Sequence, residues 1–207
     1  MHKWKPITPT VRMTSDLRSK SHKGLFKEIN QFKVTKQVGS GSSSIVYSAL
    51  NKKQNMAIKV IKKSLMKVQG LSYCEINALQ RLHHPNIVEL HEVINDESSP
   101  DLLLVMQYLD GVSLDELTWK PSSEEVWKWS RQLISALYMC HEQAKVAHRD
   151  IKPENLKLKG KEKDLVLYDF GVCNSFEGKG EDNDLFVRTK GSYNFFAPEM
   201  MARQKDG

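Results

Sequence analysis

Val146–Lys157 reads V-A-H-R-D-I-K-P-E-N-L-K and places a carboxylate (Asp150), an ammonium (Lys152) and an amide (Asn155) on one short stretch. A second carboxylate follows in Asp169-Phe170-Gly171, where the glycine permits a tight turn. A carboxylate and an amide oxygen can share a hard divalent cation. A separate carboxylate can orient a hydroxyl, and a nearby ammonium can neutralise charge on a group in flight. Together these are the parts that phosphoryl transfer from a nucleoside triphosphate requires.

Other candidates lie upstream. Gly39-Ser40-Gly41 lacks Cβ atoms at two positions, so backbone N–H groups can approach an anion closely. The same residues also make an ordinary hairpin turn. Lys59 ends the strand-like run Ala57-Ile58-Lys59, where a lysine is usually a solvated edge residue. Glu75 falls 16 residues later, in a stretch with helical apolar spacing at Leu71, Cys74, Ala78 and Leu82 that Pro85 ends.

The elements that must position these residues follow from periodicity. Strands are expected from Phe32 through Val38, after Gly41 toward Tyr47, over Met56–Val60, over Ile87–Ile94, and over the apolar run Leu102–Met106. Asn95–Asp101 reads as a turn, and Gln107–Val112, which contains Gly111, as a linker between two lobes. Ser122 with Glu125 forms a capping box. Val126, Trp129, Leu133, Leu137 and Cys140 then mark one helix face, and Trp127 and Trp129 are expected to pack. Leu158 and Leu165–Tyr168 flank a turn at Lys159–Asp164 and make a hairpin. Residues 1–30 are basic and poorly periodic, which predicts a disordered arm, with docking to a partner or a membrane surface as the alternative.

Composition narrows the class. The chain has 207 residues, 40% hydrophobic and 27% charged, enough for a real core in one or two domains. The net charge of +6 is spread thinly, which favours a solvated basic surface over a nucleic-acid site. Cys74, Cys140 and Cys173 form no C-x-x-C pair and predict free thiols in a reducing compartment, cytoplasmic or nuclear. No apolar run reaches the roughly 20 residues of a membrane span, and M-H-K-W-K-P has no secretory h-region.

The H-R-D-I-K-P-E-N and D-F-G segments, with Gly39-Ser40-Gly41, Ala57-Ile58-Lys59, His84-Pro85-Asn86-Ile87-Val88 and Ala197-Pro198-Glu199, resemble the eukaryotic protein kinases. The resemblance implies an α+β, bilobal fold. Its N-lobe, 31–106, would be an antiparallel sheet plus one helix. A hinge would run over 107–112, and 113–207 would be a mostly helical C-lobe, incomplete in this C-terminally truncated chain. It implies ATP and Mg²⁺ as cofactors and a protein substrate. Asp150 would be the catalytic base, Lys152 would neutralise the phosphoryl group, and Lys59 paired with Glu75 would hold the α- and β-phosphates. Asn155 and Asp169 would bind the metal. Val38, Gly39, Ser40, Gly41, Val46, Ala57, Lys59, Met106, Gln107, Leu109, Ser113 and Leu156 would surround the nucleotide. Arg149 would lie in a basic pocket facing an activation segment, 169–199, with Thr189 as its candidate phosphosite; an unmodified threonine is the alternative. Ser192 would lie near Lys152 and Asp150.

The lysine in D-x-K-P-x-N resembles serine/threonine kinases. Asp169–Glu177 and Asn30–Gly39 are most similar to the calcium/calmodulin-dependent protein kinase kinases. That subgroup implies action upstream of other kinases, and calmodulin binding through a segment outside this chain. The sequence departs from the pattern at Ser44, which stands where a third glycine belongs. It also lacks the subgroup's basic, proline-rich insert, and has S-Y-N-F-F-A-P-E for T-P-A-F-M-A-P-E. The rival readings are a non-catalytic pseudokinase and a truncated fragment that binds partners.

Overall fold

Alternating β-branched and polar residues dominate the first half of the chain, and they pair. The structure is a computed structural model, which describes residues 11–22, 25–41, 44–52, 54–68, 73–176, 191–198 and 201. The chain divides into two units, one of residues 1–72 and 89–109, the other of 73–88 and 110–207.

The first unit contains β1 (Arg12–Thr14), β2 (Ser19–His22), β3 (Leu25–Ile29), β4 (Phe32–Ser40), β5 (Ser44–Asn51), β6 (Gln54–Lys62), the short helix α1 (Lys63–Val68), β7 (Leu90–Ile94) and β8 (Asp101–Gln107). The strands form one sheet in the order β1-β7-β8-β6-β5-β4-β3-β2. All pairings are antiparallel except β1 with β7, which is parallel and departs from the antiparallel sheet expected. α1 was not expected either. It follows β6 directly, in K-S-L-M-K-V, a run without glycine or proline.

Residues 1–10, 23 and 24 lie outside the described residues, while the described part of the arm expected to be disordered, 11–22 and 25–30, forms β1, β2 and β3. Their apolar side chains are few but well placed. Ile29 is fully buried beside Phe32, Tyr47, Ala49 and Ile58, and Leu17 and Phe26 pack on the same cluster. Phe26 meets Tyr47 edge-on at 5.9 Å. Asn30 takes a positive φ of 48° in the tight turn between β3 and β4, a conformation asparagine tolerates. Its amide N–H donates to Arg18 O at 2.7 Å, and its Oδ1 accepts from Arg18 N at 2.7 Å. The charge count hid these contacts, because a cross-strand pair such as Lys20–Glu28, 2.6 Å apart, reads in sequence only as polarity. Ile29→Ala is expected to destabilise the first unit by about 2–5 kcal/mol, read from urea unfolding. An unchanged midpoint would return this segment to the status of a loose arm.

The second unit begins with α2 (Cys74–Leu79), shorter than the helix expected over 71–82; residues 71 and 72 lie outside the described residues. This segment groups with the second unit, not with the N-lobe span 31–106 in which it was expected. α3 (Ser123–Tyr138) starts at the predicted capping box: Ser122 Oγ accepts from Glu125 N at 3.1 Å, and Ser122 N donates to Glu125 Oε2 at 2.9 Å. α3 runs on into a π-helical turn at Met139–Gln143. Then come β9 (Val146–Ala147), β10 (Leu156–Lys159), β11 (Asp164–Leu167) and β12 (Asn174–Ser175). α3 is the one long helix among the described residues of this unit, so the mostly helical character expected for the C-lobe is not seen in them.

β10 and β11 form the expected hairpin, and α3 holds it. Trp129 Nε1 donates to Lys163 O at 2.9 Å. Gln132 donates to Asp164 Oδ1 at 2.7 Å and accepts from Leu165 N at 2.8 Å. Trp129 is therefore buried, whereas Trp127 is 70% exposed and does not pack as expected. The segment after residue 109 is bound to β10. A Cβ on Gly111 would lie 2.5 Å from Leu158 O, and Leu158 N donates to Val112 O at 2.9 Å. Only glycine fits that approach.

Candidate active site

β9 ends at Ala147, and the chain passes through His148-Arg149-Asp150 without regular structure. His148 is buried, and burial lowers its basicity. Its Nδ1 accepts from Asp150 N at 3.3 Å, and its Nε2 faces Tyr168 O at 3.1 Å. A backbone N–H can only donate and a carbonyl only accept, so the ring is neutral with its proton on Nε2. The same ring meets Phe170 edge-on at 4.6 Å. One histidine thus ties the Asp150 loop to the Asp169 turn. Arg149 and Asp169 both hold positive φ, 67° and 60°. Such conformations cost a non-glycine residue about 1–3 kcal/mol and persist where the surroundings enforce them.

Asp150 is the centre of a small polar network. Its Oδ1 accepts from Ser192 N at 2.8 Å, and its Oδ2 accepts from Asn155 Nδ2 at 2.9 Å and faces Lys152 Nζ at 3.1 Å. Asn155 Nδ2 also donates to Asp150 O at 2.8 Å, and Lys152 Nζ to Ser192 Oγ at 2.6 Å. Burial pushes the Asp150 carboxyl upward, but the hydrogen bonds from Lys152 and Ser192 outweigh it and hold the group below the ordinary carboxylate range. A depressed folded pKa means that the stabilisation exists above the unfolded value of about 3.9 and is lost as pH falls through the folded one. Asp150 is ionised throughout the neutral range.

Asn155 is buried at the end of a 3-10 turn that Pro153 initiates. Because its Nδ2 is committed to Asp150, Oδ1 is the atom with oxygen-ligand chemistry. Asp169 is exposed and carries a second set of hard oxygens, one of which accepts from Gly171 N at 3.4 Å. An amide oxygen and a carboxylate are ligand types that a divalent cation of the magnesium class takes.

Gly191 was not singled out in the sequence. It adopts φ +126°, and a Cβ there would lie 2.5 Å from Arg149 O. This close approach seats Ser192 against Asp150. The signal was present in T-K-G-S but had no geometric meaning before the loop was placed. Gly191→Ala is expected to cost about 1–3 kcal/mol of local strain and to lower turnover more than ten-fold without unfolding the protein. Wild-type turnover with an unchanged melting curve would show that the segment yields freely.

The remaining expectations distribute over the two units. In the first, β5–β6–β8 registers pair Val46 with Lys59, Lys59 with Leu104, and Ala57 with Met106. Cross-strand partners share a face, as do residues two apart, so Val46, Ala57, Lys59 and Met106 lie on one side of the sheet. Lys59 is 8% exposed. Gly39 and Gly41 are not forced by the fold: added Cβ atoms would meet Val46 Cβ at 3.7 Å and Ser44 Oγ at 3.8 Å, which are ordinary contacts. Ser40 ends β4, Val38 is 42% exposed, Gln107 N donates to Glu89 O at 2.8 Å, and Leu109 is buried. In the second, Glu75 is buried on α2, Leu156 is buried on β10, and Ser113 bridges to Lys157. Lys59 and Glu75 belong to different units. Thr189 and Glu199 lie outside the described residues.

The family model for the protein kinase domain matches residues 32–207. The chain is 36% identical over 180 residues to CBL-interacting serine/threonine-protein kinase 15 of Arabidopsis thaliana, covering 84% of this chain and 42% of that protein. It is 32% identical over 181 residues to the carbon catabolite-derepressing protein kinase of Saccharomyces cerevisiae, covering 84% and 27%. It is also 32% identical over 228 residues to a calcium/calmodulin-dependent protein kinase kinase of Caenorhabditis elegans, covering 94% and 40%. The chain therefore spans less than half the length of these relatives.

Proposed function

The chain belongs to the protein kinase family, and from that membership we propose that the protein transfers the γ-phosphoryl group of ATP to a serine or threonine hydroxyl of another protein. The observation that carries this reading is the bonding around Asp150. Its carboxylate is ionised, oriented by Ser192 and Asn155, and has Lys152 Nζ at 3.1 Å. A hydroxyl placed against Asp150 is turned toward the phosphorus and can pass its proton to the carboxylate as the new O–P bond forms. Lys152 supplies positive charge where charge accumulates on the moving group. A divalent cation, when held by Asn155 and Asp169, neutralises the phosphate oxygens. Lys59 is assigned to the nucleotide phosphates, and Glu75 to the orientation of that lysine.

The similarity to a calcium/calmodulin-dependent protein kinase kinase supports a narrower version, in which the substrates are themselves kinases and calmodulin is a regulator. The test is transfer of labelled γ-phosphate by the full-length protein to a mixed set of hydroxyl-bearing proteins and kinase domains, followed by identification of the labelled amino acids. Phosphoserine and phosphothreonine are expected, with kinase domains preferred in the narrower version. Label confined to phosphotyrosine overturns the serine/threonine assignment. Absence of label favours the pseudokinase reading, which the Ser44 departure from the glycine pattern supports.

A further inference from the structure

α2 and β12 pack together, and they bring two of the three cysteines to one place. Cys74 opens α2, and Cys173 precedes β12. Both line a cavity of about 410 Å³, along with Asn77, Arg81, Val146 and Ser175. Cys74 Sγ donates to Asn174 Oδ1 at 3.7 Å, on the residue next to Cys173. Cys74 is partly exposed at the cavity wall, whereas Cys173 is 4% exposed.

We propose that Cys74 and Cys173 form a peroxide-sensitive dithiol, and that oxidation joins them in a disulfide fastening α2 to the segment behind the Asp169 turn. The roles follow from the surroundings. Burial pushes the Cys173 thiol up, so it is a poor first nucleophile. Cys74 is the accessible sulfur, so peroxide reaches it first. The Cys74 thiolate attacks one oxygen of hydrogen peroxide, the O–O bond breaks, hydroxide leaves, and Cys74 becomes a sulfenic acid. Cys173 then displaces the sulfenic oxygen. Its thiol proton goes to that oxygen, water leaves, and the S–S bond forms. Overall the two thiols lose two protons and two electrons, and one peroxide takes them up to become two waters. Cys140, fully buried, with its thiol pushed up to about 12 by burial, takes no part.

The consequence is mechanical. Cys74 is adjacent to Glu75, and Cys173 follows the Asp169-Phe170-Gly171 turn, so the bridge would restrain two segments to which the proposed function assigns roles. The chemistry itself does not depend on phosphoryl transfer. The test treats the reduced protein with hydrogen peroxide, blocks remaining thiols with iodoacetamide, and maps peptides by mass spectrometry. A Cys74–Cys173 peptide pair two hydrogens lighter than its parts is expected, reversed by dithiothreitol, with Cys140 recovered alkylated. Hydrogen exchange of the α2 amides should slow at least ten-fold in the bridged protein. Recovery of both cysteines alkylated, or of Cys74 over-oxidised without a link, overturns the dithiol. A link that leaves α2 exchange unchanged overturns the fastening.

Discussion

Asp150→Asn is expected to lower kcat by about 10²–10⁴-fold, the range a positioned general base supplies. The substitution keeps the size of the side chain and an oxygen able to accept from Ser192 N. It removes the charge that Lys152 faces at 3.1 Å, and it sets an amide nitrogen or a neutral oxygen against Asn155 Nδ2. Orientation is therefore partly kept while proton acceptance is lost. Nucleotide affinity should change by no more than a few-fold, because the carboxylate is assigned to the acceptor hydroxyl and not to ATP. In the wild type, the acid limb belonging to Asp150 should lie below the ordinary carboxylate range, since its hydrogen bonds favour the ionised form. Rapid-quench measurement of the chemical step separates these effects. Equal kcat in the two proteins would remove Asp150 from the chemistry.

Lys59→Met is expected to lower phosphoryl transfer by about 10²–10³-fold, the magnitude associated with losing one charge that stabilises a transition state. Methionine has nearly the same length and suits the 8% exposure of this β6 position, where the neighbouring cross-strand residues are Val46 and Leu104. The sheet should be kept, and the unfolding free energy read from urea titration should stay within about 1 kcal/mol of wild type, as volume-conserving swaps usually do. Unchanged turnover would refute the phosphate-binding role. Loss of turnover together with unfolding would show that the lysine is needed by the sheet instead.

What the sequence disclosed depended on whether a signal was local. The capping box at Ser122 and the hairpin of β10 and β11 are set by residues a few positions apart, and each was legible. β1 was not, because the pairing of Arg12–Thr14 with β7 depends on a partner some eighty positions away. Within that pairing, Thr14 Oγ1 donates to buried Glu92 at 2.5 Å, and Gln31 Nε2 donates to the same carboxylate at 3.0 Å. Polar residues that satisfy one buried carboxylate look, in a linear reading, like a solvated arm. Gly191 escaped for a related reason, since its requirement comes from Arg149 O. Ser192 was legible only through resemblance, and its two hydrogen bonds into the Asp150 network give that placement a physical cause. The proximity of Cys74 and Cys173 could not be read from spacing, which showed only isolated thiols.

A structure of the full-length protein with a non-hydrolysable ATP analogue and Mg²⁺ tests the assignment most directly. The ion should be shared by Asp169 and Asn155 Oδ1 at about 2.0–2.1 Å, with Lys59 on the phosphates and Asp150 facing the terminal one. A nucleotide bound elsewhere, or an ion touching neither Asp169 nor Asn155, would contradict the account.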